Sequence, residues 1–306
     1  MSFRLGCITP LTVASMLCLL LSGAFTSLAQ ERDFSAVDIK THKITNTIYM
    51  LEGAGGNIGV SAGEDGVFLV DDQYAPLTDK IVAAIEKISD KDIRFLINTH
   101  IHPDHTGGNE NFGKRGVIIV GHDNIRSRLQ QSMFGRPPLP DIALPIITFN
   151  DTVTFHMNGE AVRAFKLPSA HTDGDTLIHF QGSDVIHAGD VFRTTTYPYI
   201  DKAHGGSFAG MLEALALLIE MAGPNTKIIP GHGVIADRDM VKTFHTMLVT
   251  IKDRMMEQIQ QGKTLEEVMA ANITEDYDAR WAPKPGGFFS KEAFISLVYE
   301  ELKAAQ

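Results

Sequence analysis

The sequence has almost no cysteine. Its two, Cys7 and Cys18, both fall in the N-terminal apolar segment. The rest of the chain therefore has no disulfide framework, no thiolate nucleophile and no cysteine metal ligand. Any metal bound there must be held by His, Asp and Glu. Positive charge is also scarce: 27 Lys and Arg stand against 37 Asp and Glu, a formal net charge of −10. That balance argues against nucleic acid or an anionic membrane as a partner. A local basic group can still take one anionic group of a small-molecule substrate. Internal repeats and low-complexity linkers are missing as well. What is present is a chain of 306 residues, 44% hydrophobic and 21% charged, long enough for a large core.

The opening segment, MSFRLGCITPLTVASMLCLLLSGAFTSLAQ, has one basic residue, Arg4, followed by a long uncharged apolar run. It ends in the small residues of SLA. This predicts a secretory signal peptide over residues 1–29, cut after Ala29. The run is near the length of a membrane span, but the small residues at its end favour cleavage. The expected mature protein, residues 30–306, is periplasmic or secreted, with no stable membrane anchor. Nothing in the pattern selects an oligomeric state.

Short strand patterns begin near residue 43. TIYMLEG, NIGVSAG and GVFLVDD are β-branched and apolar runs bounded by Gly and Asp. LTDKIVAAIEKI places Ile81, Ala84, Ile85 and Ile88 on one helical face. IRFLIN reads as a buried strand running into His100, and GVIIV as another, followed by a helical HDNIRSRLQQSM. FGRPPLPDIALP is a Pro-rich irregular loop. DTVTFHMNG, EAVRAFKLP, DTLIHFQG and DVIHAGD are further strands, and KIIPGHG is a strand and turn. SFAGMLEALALLIEMA is a helix closed by Gly223 and Pro224, and helices fill the chain from about Asp237. The expectation is one αβ domain of sheets covered by helices.

The segment HIHPDH concentrates ligand-type side chains. His100 and His102 are two apart, so both point the same way from extended backbone. Pro103 then bends the chain and turns Asp104 and His105 toward the same place. Other candidates follow strands: His171 in LPSAHTDGD, Asp190 in VIHAGDVF and His232 in IIPGHG. Each has small neighbours that let the backbone bend sharply. Imidazole and carboxylate suit Zn²⁺, and a set without thiolate also suits iron or manganese. The remaining histidines read as ordinary polar residues; His204, in a Gly-rich loop, is the one to watch.

With these motifs the sequence resembles the metallo-β-lactamase-fold hydrolases. THIHPDHTGG, SAHTDGD, HAGD and PGHG occur in the family's order over residues 43–235. The resemblance implies a four-layer αββα sandwich and two zinc ions. By position, His100, His102 and His171 would hold the first ion. Asp104, His105 and His232 would hold the second, with Asp190 bridging or completing it. Diiron redox relatives have Glu where this chain has His102, which favours zinc and hydrolysis. Many β-lactamases of the fold have Cys where Asp190 stands; Asp is the pattern of thioesterases, lactonases and phosphodiesterases. Arg193 reads equally as a grip on a substrate carboxylate and as a solvated surface arginine.

The implied chemistry is hydrolysis of a carbonyl-centred bond by a hydroxide shared between the ions. Asp104 would orient that hydroxide and pass on a proton. Asp71 or Asp72 is placed to accept from a ligand imidazole, while Thr106 and Thr172 read more readily as turn caps. A β-lactam-type cyclic amide is the first expectation, on export and Arg193; a lactone or thioester is the alternative, on Asp190. Other classes are an iron-dependent oxygenase on the same fold and a non-catalytic metal or ligand binder. Tyr74, Phe134, Tyr197 and Tyr199 are candidate pocket walls or, equally, packed loop aromatics.

Overall fold

The strand GVFLV, Gly66–Val70, is buried throughout, and its alternation generates the layers. Successive strand side chains point to opposite faces. Phe68 and Val70 enter one apolar cluster, while Val67 and Leu69 enter another. A strand buried on both faces must lie between two covering layers.

The computed structural model describes Ser2 and residues 33–306. The expected signal peptide and its cleavage point fall almost wholly outside the described residues. Strands β1 (Lys40–Lys43), β2 (Ile48–Glu52), β3 (Ile58–Gly63) and β4 (Gly66–Val70) pair antiparallel. Helix α1 (Thr78–Glu86) leads to β5 (Ile93–Ile97), which lies parallel to β4. The short helices α2 (Pro103–Thr106) and α3 (Asn109–Lys114) precede β6 (Ile118–His122); α4 (Asp123–Leu129) precedes β7 (Ile147–Phe149). These strands form a seven-stranded sheet in chain order. The second sheet has five strands: β8 (Thr152–Met157), β9 (Glu160–Lys166), β10 (Thr176–Phe180), β11 (Val185–His187) and β12 (Lys227–Ile229). Helix α5 (Phe208–Met221) supplies the crossover between the parallel strands β11 and β12. Helices α6 (Arg238–Gln260), α7 (Leu265–Ala270), α8 (Glu275–Trp281) and α9 (Lys291–Ala304) complete the chain.

The two sheets face each other across Met50, Phe68, Ile97, Ile178, Phe180 and Ile229. On the far side of the first sheet, Leu69 and Leu96 pack with Ile81, Ile85 and Phe112. On the far side of the second, Leu177 and Ile186 pack with Met211, Phe244 and Phe294. This is the αββα sandwich. The periodic face of α1 is buried at Ile81, Ala84 and Ile85, and Ile88 packs just beyond the helix end. The edge strand β7, one residue past the Pro-rich loop, is only three residues long, too short for a legible strand alternation. Among the described residues, no helix is long and apolar enough to cross a membrane.

Phe68 ties the sheets together. Its ring lies 5.0 Å from Phe155 and 6.3 Å from Phe180, both in the second sheet. Phe68→Ala is expected to cost about 3–5 kcal/mol of stability by chemical denaturation. Truncation of Ile146, which is 69% exposed, should cost less than about 0.5 kcal/mol. Equal losses at the two positions would show that the sheets are not joined in this way.

Candidate metal centre

The candidate ligands follow strand ends or turns. His100 lies three residues beyond β5, Asp190 three beyond β11 and His232 three beyond β12, while His171 is in the β9–β10 connection. His102 caps the first turn of α2 with extended backbone, and Pro103 starts that helix. The structure brings His100, His102 and His171 together, with ligand-type atoms within 4.8 Å of one another. Asp104, His105 and His232 form an adjoining group under the same limit. Asp190 joins them: its Oδ1 is 3.3 Å from Nε2 of both His105 and His232, and its Oδ2 is 3.6 Å from His171 Nε2.

The outer hydrogen bonds define the inner chemistry. His171 Nδ1 lies 2.6 Å from the Tyr199 carbonyl, which can only accept, so that nitrogen carries the hydrogen. His102 Nε2 is 2.8 Å from Asp201 Oδ2 and likewise donates. The opposite nitrogens, His171 Nε2 and His102 Nδ1, then face each other at 2.8 Å. Both of these nitrogens point to the inside of the group. His100 repeats the pattern. Thr99 Oγ1 donates to Asp71 Oδ2 at 2.7 Å and accepts from His100 Nδ1 at 2.9 Å. His100 Nε2 is left buried without a hydrogen-bond partner. Buried acceptors in this state are costly unless a positive charge joins them.

Charge divides the two groups. Burial pushes His171 down to about 3, with His102 adding to the effect. Burial, then His105 and the other nearby imidazoles, holds His100 well below the ordinary histidine value. In the second group burial also depresses His105, but Asp104, Asp71 and Asp190 outweigh it and hold the imidazole well above its usual value. His232 is raised in the same way: Asp190 and Asp104 overcome burial. Burial raises Asp104 and Asp190, yet the facing imidazoles, with Arg193 beside Asp190, leave both carboxyls below the usual range. Burial thus favours the neutral form of His100 and His171 in the first group, while the second lies in the field of Asp104, Asp71 and Asp190. Together the two groups fit divalent ions with N and O preference.

Asp71 accepts from His105 Nδ1 at 2.7 Å, as well as from Thr99. It holds a left-handed backbone, φ 63°. Asp72 does not reach an imidazole. Its Oδ1 accepts from the Gly108 N–H at 2.9 Å, and so fixes the turn after α2. Thr106 bonds the carbonyls of Ile101 and His102, and Thr172 bonds Asp175; both are turn contacts. Arg193 is not a solvated surface arginine: its side chain is largely buried, with Nη2 on Asp190 Oδ2 and Nη1 3.4 Å from Thr196 Oγ1. Tyr197 is core, stacked on Phe294 at 5.0 Å, and Tyr74 packs on Phe34.

Four further residues shape the site. Asp201 binds both His102 and His204, the latter at 2.6 Å. Asn57 holds the His232 turn by donating to the carbonyls of Pro230 and Gly233. Gly56 and Gly231 permit close approach: a Cβ on Gly56 would enter the His105 ring, and one on Gly231 would strike Asp190. The one available cue was the Asp-x-x-His spacing of Asp201 and His204.

The sandwich with this site at its strand ends is the architecture of a metallohydrolase fold. The family model of the metallo-beta-lactamase superfamily matches residues 51–232, and the chain belongs to that superfamily. It is 25% identical over 151 residues to hydroxyacylglutathione hydrolase of Pelagibacter ubique, covering 48% of this chain and 56% of that one. It is 21% identical over 184 residues to metallo-beta-lactamase type 2 of Bacillus cereus, covering 60% of this chain and 68% of that one. The match to a linear primary-alkylsulfatase of Pseudomonas is 22% identical and covers 67% of this chain and 47% of that one. The chain thus spans about half the length of two of these relatives. Among solved structures, DIM-1 metallo-beta-lactamase superposes with a TM-score of 0.59 at 17% identity, over 70% of this chain and 99% of that one. A metallo-beta-lactamase from Pontibacter korlensis gives 0.60 at 16%, over 69% and 99%. These likenesses are of fold.

Removing the acceptor behind two imidazoles should loosen the centre. Asp71→Ala is expected to weaken zinc binding about 10–100-fold, measured by competition with a chromophoric chelator. An unchanged affinity would mean that Asp71 does not orient His100 and His105.

Proposed function

We propose that the chain is a metal-dependent hydrolase of a carbonyl-centred bond. His100, His102 and His171 would hold one divalent ion, and Asp104, His105, His232 and Asp190 a second. The observation that carries this reading is the convergence of His102 Nδ1 and His171 Nε2, 2.8 Å apart, beside the buried, unpartnered Nε2 of His100. Zinc is the preferred ion, because His102 stands where redox diiron relatives have Glu. A divalent ion held there supplies Lewis acidity, lowering the pKa of water and polarising the substrate carbonyl.

The chain's own groups do the remaining work. Asp104 is ionised, and its side chain and that of His232 are 22% and 25% exposed, so the second group faces the incoming substrate and water. Asp104 Oδ2 orients the attacking water as a hydrogen-bond acceptor. Arg193 neutralises Asp190 Oδ2 and leaves Oδ1 directed at His105 and His232. Arg193 engaged in this way is a poorer grip for the carboxylate of a β-lactam. A thioester or lactone becomes the leading substrate class, supported by the Asp at position 190 and by the likeness to a hydrolase of hydroxyacylglutathione, itself a thioester. A β-lactam amide is the second reading, on the likeness to the Bacillus cereus protein. Export to the periplasm belongs to the same proposal and rests on the composition of residues 1–29.

The test is turnover of a thioester, a lactone and a β-lactam side by side, with and without chelator. Thioester or lactone hydrolysis is expected, abolished by metal removal and restored by zinc. His171→Ala should lower it at least about 100-fold. Hydrolysis that survives complete metal removal refutes the mechanism, and iron content with oxygen uptake would make the protein an oxygenase instead.

A further inference from the structure

Phenyl and phenol rings border the site on one side. Phe134 lies 5.2 Å, centroid to centroid, from His102 and 4.7 Å from His204. Tyr199 lies 5.8 Å from both His102 and His171. Phe288 meets Tyr199 edge-on at 4.6 Å. The three rings come from separate connections: α4–β7, the stretch between β11 and α5, and α8–α9. Among the described residues, the site histidines that touch such rings are His102 and His171, both in the first group.

Tyr199 is half-buried and also meets Phe289 at 5.6 Å, but core packing does not account for the other two rings. Phe134 is 41% exposed and Phe288 81% exposed. Phe134 also holds φ 54°, followed by Gly135 at φ 72°. They form the tip of a tight hairpin in which Met133 and Arg136 exchange N–H···O bonds of 3.1 and 2.8 Å. Such a turn favours Asn or Gly, and a bulky ring there is disfavoured by the backbone. A disfavoured backbone that carries an exposed ring onto a candidate ligand points to a role at the site. Phe288 follows Gly286 and Gly287 and lies beyond the residues 51–232 matched to the superfamily. This ring thus comes from the part of the chain outside the matched range. None of the three side chains carries charge.

We propose that Phe134, Tyr199 and Phe288 form an aromatic wall that receives an apolar substituent, aryl or alkyl, on the acyl side of the substrate. The inference rests on the reading of the site as a hydrolytic metal centre and adds the substrate class to it. The acyl side is assigned because the wall borders the first group, whereas the open carboxylate, Asp104, lies in the second.

Acetohydroxamic acid and phenylacetohydroxamic acid test the wall. They share one metal-binding head and differ by a phenyl ring. Their affinities for the zinc-loaded full chain are compared by calorimetry, with acetohydroxamate as the reference within each variant. The phenyl compound is expected to bind about tenfold more tightly to the unaltered chain. In Phe134→Ala and Phe288→Ala that ratio should fall to about threefold or less. Equal affinities in the unaltered chain, or a full ratio retained in both variants, overturns the wall and leaves the metal centre standing. Failure of both hydroxamates to bind overturns the metal centre, and the wall with it.

Discussion

The site depends on one repeated constraint: an imidazole can point a lone pair inward only if its other nitrogen has a fixed acceptor. Asp71 meets that condition for two rings, directly at His105 and through Thr99 at His100. Tyr199 does so for His171 through a carbonyl, and Asp201 for His102 through a carboxylate. The acceptors belong to different parts of the chain, so the tautomers are set by the tertiary fold. Loss of any acceptor would free a ring to flip and present N–H where a lone pair is needed.

The sandwich explains how such distant parts stay aligned. β4 and β5 lie side by side in parallel, so Asp71 and His100 emerge from neighbouring strand ends. β11 and β12 do the same for Asp190 and His232. Phe68 and its partners lock one sheet against the other, and α5 is anchored to α9 by Glu301, whose carboxylate accepts from the Phe208 and Ala209 N–H groups. A packed body of this kind can hold the inward nitrogens of several imidazoles close together, an arrangement that loosely held loops would relax.

Legibility in the sequence followed the range of the interaction. The strand GVFLV and the helix carrying Ile81, Ala84 and Ile85 were readable because their periodicity is local. So were His100, His102, Asp104 and His105, packed within six positions, and the three later candidates, each preceded by a strand pattern. Asp201 contacts His102 across 99 positions, and Asn57 contacts Pro230 across 173. Nothing near either residue announces its partner. Asp71 and Asp72 are adjacent candidates for one role; Asp71, with left-handed backbone, reaches His105 directly and His100 through Thr99, whereas Asp72 caps the turn at Gly108. Arg193 was read by its charge, whereas its direction is set by Asp190.

That last contact bears on why an aspartate stands at position 190. A carboxylate has two oxygens. Arg193 occupies Oδ2, and Oδ1 is left toward His105 and His232, with no aligned hydrogen bond of its own. The guanidinium therefore restricts Asp190 to one inward oxygen and offsets one negative charge in a site that also holds Asp71 and Asp104. It is flat, permanently charged and placed three residues away, which a lysine ammonium could match in charge but not in geometry. A thiolate at this position would have a single donor atom and no second face for Arg193. Asp190 and Arg193 are thus one unit. The arginine's direction is set by the carboxylate beside it, which takes one of the guanidinium nitrogens within the chain.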